Sequence, residues 1–354
     1  MGALFDIINK PLGYVLSFFA DMMGNDFAAA VALFTLLVNI ALIPLSIKSQ
    51  KSSVQQIRIK PKLDELRKKY GDDRQKMAQA QQELYQQEGV SMAGGCLPMI
   101  IRLVLMMSIY TLIMSPFTYI AKVDATHVTN VHKAVVEETL NVYKENDTAK
   151  YNETLKLLDI DKNDKLQNKD LTVINLVRKS PDAVKNVLKG SLSAERYAEV
   201  EKSLDIVVQK DNERKINFNL FGIEGLNLTE TPKFNINIVE GFQLLWLIPI
   251  GAFVAQIISS LVSMRVNKIN NPDAPSMAGM MLMMPLISLF IGFGLPGGVG
   301  FYWICSSLIG GLIQSGVQLW YGPNKMLARE RAKELGVQCD FEKKQLEKLS
   351  KTDD

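Results

Sequence analysis

GCLPMIIRLVLMMSIYTLIM, residues 95–114, is apolar almost throughout, yet Arg102 sits near its middle. A run of this length matches the roughly 20 helical residues that cross a bilayer core. Comparable runs lie at 27–47, 242–264 and 278–320, and LPGGVG (295–300) divides the last into two spans joined by a tight turn. The fold class that follows is an all-α polytopic membrane protein. It has five transmembrane helices, an inner helical hairpin and an enlarged, mainly helical outer loop domain.

Orientation comes from lysine and arginine in the short flanking loops. Ten basic residues lie between Ile47 and Gly95, against Lys10 alone before the first span. The first span therefore runs from outside to inside, and alternation assigns the rest. The chain divides into an outer interfacial amphipathic helix (1–26), a first span (27–47), a cytoplasmic hairpin (48–95) and a second span (96–120). An extracellular loop domain (121–240), a third span (241–264) and a short cytoplasmic loop (265–277) follow. Fourth and fifth spans (278–295 and 298–320) and a cytoplasmic tail (321–354) complete it.

The start, MGALFDIINKPLGYVLSFF, has no basic n-region and no small-residue cleavage site. Leu4, Ile8, Leu12, Val15, Phe19 and Met22 recur at helical spacing, which predicts a helix on the outer interface. A short hairpin tucked into the membrane is the alternative. Cys96, Cys305 and Cys339 all fall in spans or on the inner side, so no disulfide framework braces the outer segment.

Residues 51–70 and 74–88 are polar with sparse apolar stripes, and Gly71-Asp72-Asp73 between them is turn chemistry. They predict two antiparallel helices, with Pro61 kinking the first. The hairpin carries ten bases against six acids beside the membrane. Lys60, Lys62, Arg67, Lys68 and Lys69 are its candidate docking residues for anionic lipid, ribosomal RNA or another polyanion. The outer segment predicts helices over 128–144, 150–158, 171–178, 182–189 and 194–208. DIDKNDKLQNKD (159–170) sets Asp159, Asp161, Asn163 and Asp170 at calcium-loop positions, but Asp164 stands where the loop needs glycine. An acidic turn between helices accounts for it.

Polar residues inside spans are costly unless they face protein or water. Asn39 lies about 12 Å from the inner end of its span and Arg102 about 10 Å from that of its own. Gln256 and Gln314 fall in the same inner half. Thr35, Asn39 and Ser46 share one helix face; Gln256, Ser259, Ser260 and Ser263 share another, and Ser307, Gly311, Gln314 and Gln318 a third. Serines and glutamines of this kind tighten bundles by bonding between helices. Polar faces on four spans at one depth instead predict a wetted groove open to the inside. Its residues are Arg102, Asn39, Thr35, Gln256, Ser260 and Gln314. Arg102 costs about 2.5–3.5 kcal/mol to insert, and nine Leu, Ile and Val neighbours return about 3–5 kcal/mol. No acid lies within any span to pair with it.

No catalytic set, metal-ligand spacing or phosphate loop appears, so no enzyme activity and no cofactor are expected. VALFTLLVNIALIPLSIKSQKS, PKLDELRKKYGDD, GVSMAGGCLPMII and PGGVGFYWICSSLIGGLIQ together resemble the YidC family of membrane-protein insertases, over 1–120 and 216–330. The resemblance implies an insertase and chaperone. It would pass newly made membrane proteins sideways into the bilayer through a groove open to the cytoplasm, without nucleotide. It implies nascent chains as clients, with the ribosome, the secretory translocon and membrane lipids as partners. It further implies no DNA binding, a monomer, and a bacterial plasma membrane setting. The family's first-span arginine is replaced by Asn39, and Arg102 stands where a neutral residue is usual. The outer loop is longer by about a hundred residues. The competing reading is a secondary transporter or channel for small anions with Arg102 as the anion site. A transporter predicts an internal repeat, and none is visible. A scaffold built around the hairpin alone leaves the polar stripes unexplained.

Overall fold

The computed structural model describes residues 2–71, 73–89, 97–162, 164, 166–233, 242–270 and 278–350. Cys96, Asn163 and most of the short loop predicted at 265–277 lie outside the described residues. The described residues are helical, with two isolated β-bridges (Asp26 with Asn217, Asn219 with Asn227) in place of any sheet. Among them one helix, Leu244–Lys268, is by itself long and apolar enough to cross a membrane, with mean hydropathy 2.0 over its most apolar window.

The elements are α1 (Gly2–Met22), α2 (Phe27–Ala41), α3 (Ile43–Tyr70), α4 (Arg74–Gln87), α5 (Leu97–Met114) and the single turn α6 (Pro116–Tyr119). The helices of the long polar segment are α7 (Ala125–His132), α8 (Asn141–Asn146), α9 (Thr148–Leu157), α10 (Lys169–Lys179), α11 (Pro181–Ser191) and α12 (Ala194–Arg214). A π-helical stretch, Lys133–Leu140, joins α7 to α8, and within it Thr139 Oγ1 donates to the Ala134 carbonyl. The closing helices are α13 (Leu247–Asn270), α14 (Ala278–Gly292), α15 (Gly297–Tyr321) and α16 (Pro323–Ser350).

The chain forms two compact units. The first comprises Met1–Leu37, Leu105–Gln256 and Met284–Ser307. The helices of its polar segment begin where local chemistry satisfies the free N–H groups of a first turn. Asp124 accepts from Thr126 N, Asp147 from Lys150 N, Asn168 from Leu171 N and Ser193 from Arg196 N. Pro181 opens α11, and Lys215, in the left-handed region at φ 46°, ends α12. Along α12 the buried residues Val200, Ser203, Leu204, Val207 and Asp211 fall on one face at helical spacing. The helices predicted for this segment are all present, each longer than its apolar pattern, and the first continues from α7 through the π-helical stretch into α8.

Two arginines fasten this unit. Arg178 grips Asp211 with two nitrogens, donates to the Ile216 carbonyl and lies over the Phe218 ring. Arg214 donates to the Ile120 carbonyl, to Ser17 Oγ and to Asp21, tying α12 to α1 and to the residue after α6. Phe27, Phe34, Leu112, Phe117 and Ile120 are fully buried in the same unit. Helix α1 is apolar on two faces. Leu16, Phe19 and Ala20 pack inward, while Ile7, Tyr14, Phe18 and Met22 are exposed. The predicted stripe thus divides, with Phe19 in the core and Met22 outside.

The second unit comprises Val38–Val104, Ile257–Met283 and Leu308–Asp354. The helix break after Ala41 falls at Leu42, and Pro44 sits in the first turn of α3, where its missing N–H costs nothing. Helix α3 then runs as one helix through Pro61 to Tyr70, and the break after Ala41 falls inside the run read as a single span. Asp73 accepts from Lys76 N and starts α4. Val54, Ile59 and Leu84 form the small core of the hairpin. Helix α16 packs along α3, and Arg58 pairs with Glu330 between them. The docking of the tail onto the hairpin has no counterpart in the sequence pattern.

Candidate functional site

Within the second unit, polar side chains from two helices converge on a pair of adjacent glycines in a third. A Cβ added at Gly310 would lie 2.9 Å from Asn39 Oδ1, and one added at Gly311 would overlap Ser259 Oγ and lie 3.1 Å from Ser259 Cβ. Only hydrogen side chains at these two positions let α2 and α13 set their polar groups against α15. Ser315, one turn further along α15, is 5% exposed, and its hydroxyl has no partner among the described residues. On α3 of the same unit, Ser46 and Gln50 are also buried. Asn39 and Ser259 themselves are half-buried, so hydroxyl and amide groups sit here among buried apolar side chains such as Val266 and Val317 of the same unit.

The other sequence-predicted groove residues separate into two groups. Ser260 and Gln314 belong to the same unit, and Arg102 belongs to it by its place on α5, with its side chain outside the described residues. Thr35 and Gln256 belong to the first unit. Thr35 Oγ1 donates to the Val31 carbonyl at 2.7 Å, a bond within its own helix. Gln256 Oε1 accepts from Ser288 Oγ of α14 at 2.8 Å, which is interhelical bonding of the tightening kind. Sequence reasoning passes over Ser288, Ser315 and Gly310. A small residue on the polar stripe of a span is the signal that could find Gly310 and Ser315.

The docking residues of the hairpin, Lys60, Lys62, Arg67, Lys68 and Lys69, are exposed. Lys62 pairs with Glu88, Arg67 approaches Asp64 at 3.7 Å, and Lys69 lies 5.2 Å from the Tyr70 ring centre. Lys60 and Lys68 make no ion pair among the described residues. Pairs this exposed stabilise little and leave the surface basic.

The carboxylates of the acidic turn are engaged within the first unit. Asp170 is buried, and its carboxylate accepts from Phe117 N, Thr118 N and Thr118 Oγ1, closing the first turn of α6. Burial pushes its carboxyl up to about 6, although these hydrogen bonds pull the other way. Asp161 and Asp164 hold the Lys233 ammonium at 2.9 and 3.0 Å. Desolvation lowers the Lys233 pKa, but the two carboxylates outweigh it and the net shift is upward. No group of three metal-ligating side chains occurs among the described residues.

A family profile described as 60Kd inner membrane protein matches residues 18–175 and 204–322. The match reaches into the long polar segment, beyond the stretches where the sequence motifs placed the likeness, and leaves 176–203 unmatched between its parts. Three similar proteins each carry the name membrane protein insertase YidC. That of Hahella chejuensis is 40% identical over 104 residues, 29% of this chain and 18% of that protein. That of Nitratidesulfovibrio vulgaris is 41% identical over 106 residues, 30% of this chain and 20% of that protein. That of Haemophilus ducreyi is 40% identical over 121 residues, 34% and 21% respectively. The matched stretch thus spans about a fifth of the length of these relatives.

Proposed function

Because the chain belongs to the 60Kd inner membrane protein family, we propose that it is a membrane-protein insertase that passes newly made spans into the bilayer. The observation that supports the reading is the half-buried polar contact of the second unit, where Asn39 and Ser259 close on Gly310 and Gly311. A wetted interior shortens the apolar path that a client's polar flank must cross, and each charged residue moved to a bilayer centre costs about 2.5–3.5 kcal/mol. Arg102 contributes a fixed positive charge at that depth, where it attracts the acidic or polar part of an arriving chain. Nothing in this scheme requires nucleotide.

The membrane arrangement we propose has five spans, with the N-terminus outside and the C-terminus inside. The outward apolar residues of α14, among them Met283, Met284 and Phe290, are exposed and suit lipid contact. The basic hairpin, with α16 beside it, faces the cytoplasm as the docking surface for the ribosome and anionic lipid. We place the chain as a monomer acting alone or beside the secretory translocon. An anion transporter lined by Arg102 is the second reading, and the family membership disfavours it.

The test is reconstitution of the purified chain in liposomes with a small single-span client and no ATP. Client insertion well above that of empty vesicles supports the proposal. Insertion equal to empty vesicles, or transmembrane anion flux in its place, refutes it.

A further inference from the structure

In the first unit the chain from Phe218 to Leu228 turns back on itself in a closely bonded loop. The Leu228 amide donates to the Phe218 carbonyl and the Leu220 amide to the Leu226 carbonyl, both at 2.9 Å. Gly222 N and Ile223 N close the tip onto the Asn219 and Leu220 carbonyls. Phe218, Leu226 and Leu228 are buried, so the base of the loop fills its own share of the core. The tip is apolar as well, yet Phe221 is 61% exposed and Ile223 49%. Phe221 also lies in the left-handed region, at φ 48° and ψ 35°. Gly222 and Gly225 take positive φ freely, whereas a phenylalanine there is strained and an asparagine would suit the turn better. The turn itself needs neither an aromatic ring nor its exposure at this position.

The surroundings of the loop say what the exposed ring meets. Phe221 packs edge-on against Phe301, near the start of α15, with ring centres 5.9 Å apart. A Cβ added at Gly225 would lie 3.6 Å from Leu244 Cδ2, and Leu244 opens the helix that is long and apolar enough to cross a membrane. From Leu244 the exposed residues Leu247, Ile250 and Val254 follow at helical spacing, one apolar stripe along that helix. The loop thus stands at the end of a stripe suited to lipid. Glu224, exposed beside Ile223, limits how deep the tip can go, because a carboxylate taken below the headgroups would lose its water.

We propose that Phe221 and Ile223 form a wedge that enters the headgroup boundary of the outer leaflet and anchors the long polar segment to lipid. Lipid is the occupant because the exposed tip continues into the apolar stripe of a span. Between Asn219 and Asn227 there is one acid and no base, so the wedge suits zwitterionic headgroups and not anionic ones. The proposal rests on the five-span arrangement and gives the polar segment a fixed seat on the membrane.

The test places a tryptophan at the tip (Phe221→Trp) and, as an aqueous comparison, on α8 (Val142→Trp), a helix with no buried residue. Subtracting the emission of the unaltered chain, which has three tryptophans, leaves the signal of the added one. The full chain is reconstituted in zwitterionic bicelles with or without bromines on the acyl carbons nearest the headgroup, about 5–10 Å deep, where interfacial apolar groups lie. Bromines should cut the added emission about twofold in Phe221→Trp and leave Val142→Trp unmoved, and aqueous iodide should quench Val142→Trp alone. Phe221→Asn suits the left-handed backbone, so it should keep thermal unfolding in detergent unchanged. Added to Ile223→Trp, it should release that tryptophan from the bromines. Bromine quenching in Phe221→Trp no greater than in Val142→Trp overturns the proposal. With iodide quenching the loop then stands in water, and with neither it is covered by a second copy or another protein. Bromine quenching of Ile223→Trp unmoved by Phe221→Asn also overturns it, since the ring would not be the anchor. Client insertion into liposomes by the unaltered chain separates the two readings, because insertion without bromine quenching rejects the wedge alone.

Discussion

Gly311 and Asp170 show how single residues set the two regions of this molecule. A methyl group at position 311 would overlap Ser259 Oγ and meet Ser259 Cβ at 3.1 Å. Gly311→Ala should therefore destabilise by about 1–3 kcal/mol, the usual cost of overpacking. Ser259→Ala in the same chain should recover part of that loss, because the nearest clash is with the hydroxyl. A thermal-unfolding double-mutant cycle checks the coupling, and additive effects would mean that the two helices do not meet as described. Asp170 makes a prediction about pH. Its folded carboxyl titrates at about 6 against an ordinary 3.8, so the folded state binds the proton more tightly. The associated stabilisation is full below pH 3.8 and is lost as pH rises through about 6. Its ceiling is about 3 kcal/mol, at about 1.36 kcal/mol for each tenfold change in proton affinity. Asp170→Asn should remove this dependence across the same pH window. Amide exchange at Phe117 and Thr118 reads it locally, and an unchanged pH profile in the variant would place the titration elsewhere.

At the scale of elements, most of the helices are legible in the sequence. The helices of the polar segment follow from caps and apolar spacing because both signals are local. Contacts between distant segments leave no such local mark. Helix α16 is charged along its length, and nothing in its own pattern announces that it lies on α3. The break at Leu42 lies within a run read as one span, and Pro44, in the first turn of α3, is its local mark. The hairpin should matter for docking more than for stability. Changing Lys60, Lys62, Arg67, Lys68 and Lys69 to Gln should leave thermal stability nearly unaltered, since exposed charges contribute little. Client insertion should fall, and the unaltered protein should approach the variant as salt rises. Full insertion by the variant at low salt would reduce the hairpin to scaffold.

For the whole molecule, the polar stripes in apolar sequence point to helices with polar interiors but not to the partner of each residue. Asn39 is legible because amides are rare in such runs, whereas its seat on Gly310 depends on how two helices pack. Thr35 and Gln256 carry the same sequence signal, yet they bond within the first unit. Topology is testable by single cysteines. Ones at Thr148 and Glu224 should react with an impermeant reagent from outside, and one at Gln81 only from inside. Outside labelling at Gln81 would invert the proposed orientation.

The most direct test of the central claim, a functional positive charge in the inner polar interior, is nucleotide-free insertion of a client with an acidic leading segment into liposomes. Arg102→Gln should fold but insert poorly, and Arg102→Lys should retain much activity if charge matters more than the guanidinium fork. Asn39 lies in the same unit, so Asn39→Arg added to Arg102→Gln should restore insertion through a long side chain reaching the same space. Loss in Arg102→Gln with recovery in the double variant is the result the account predicts. Full activity in Arg102→Gln contradicts it and leaves Arg102 a snorkelling residue at the edge of the bundle.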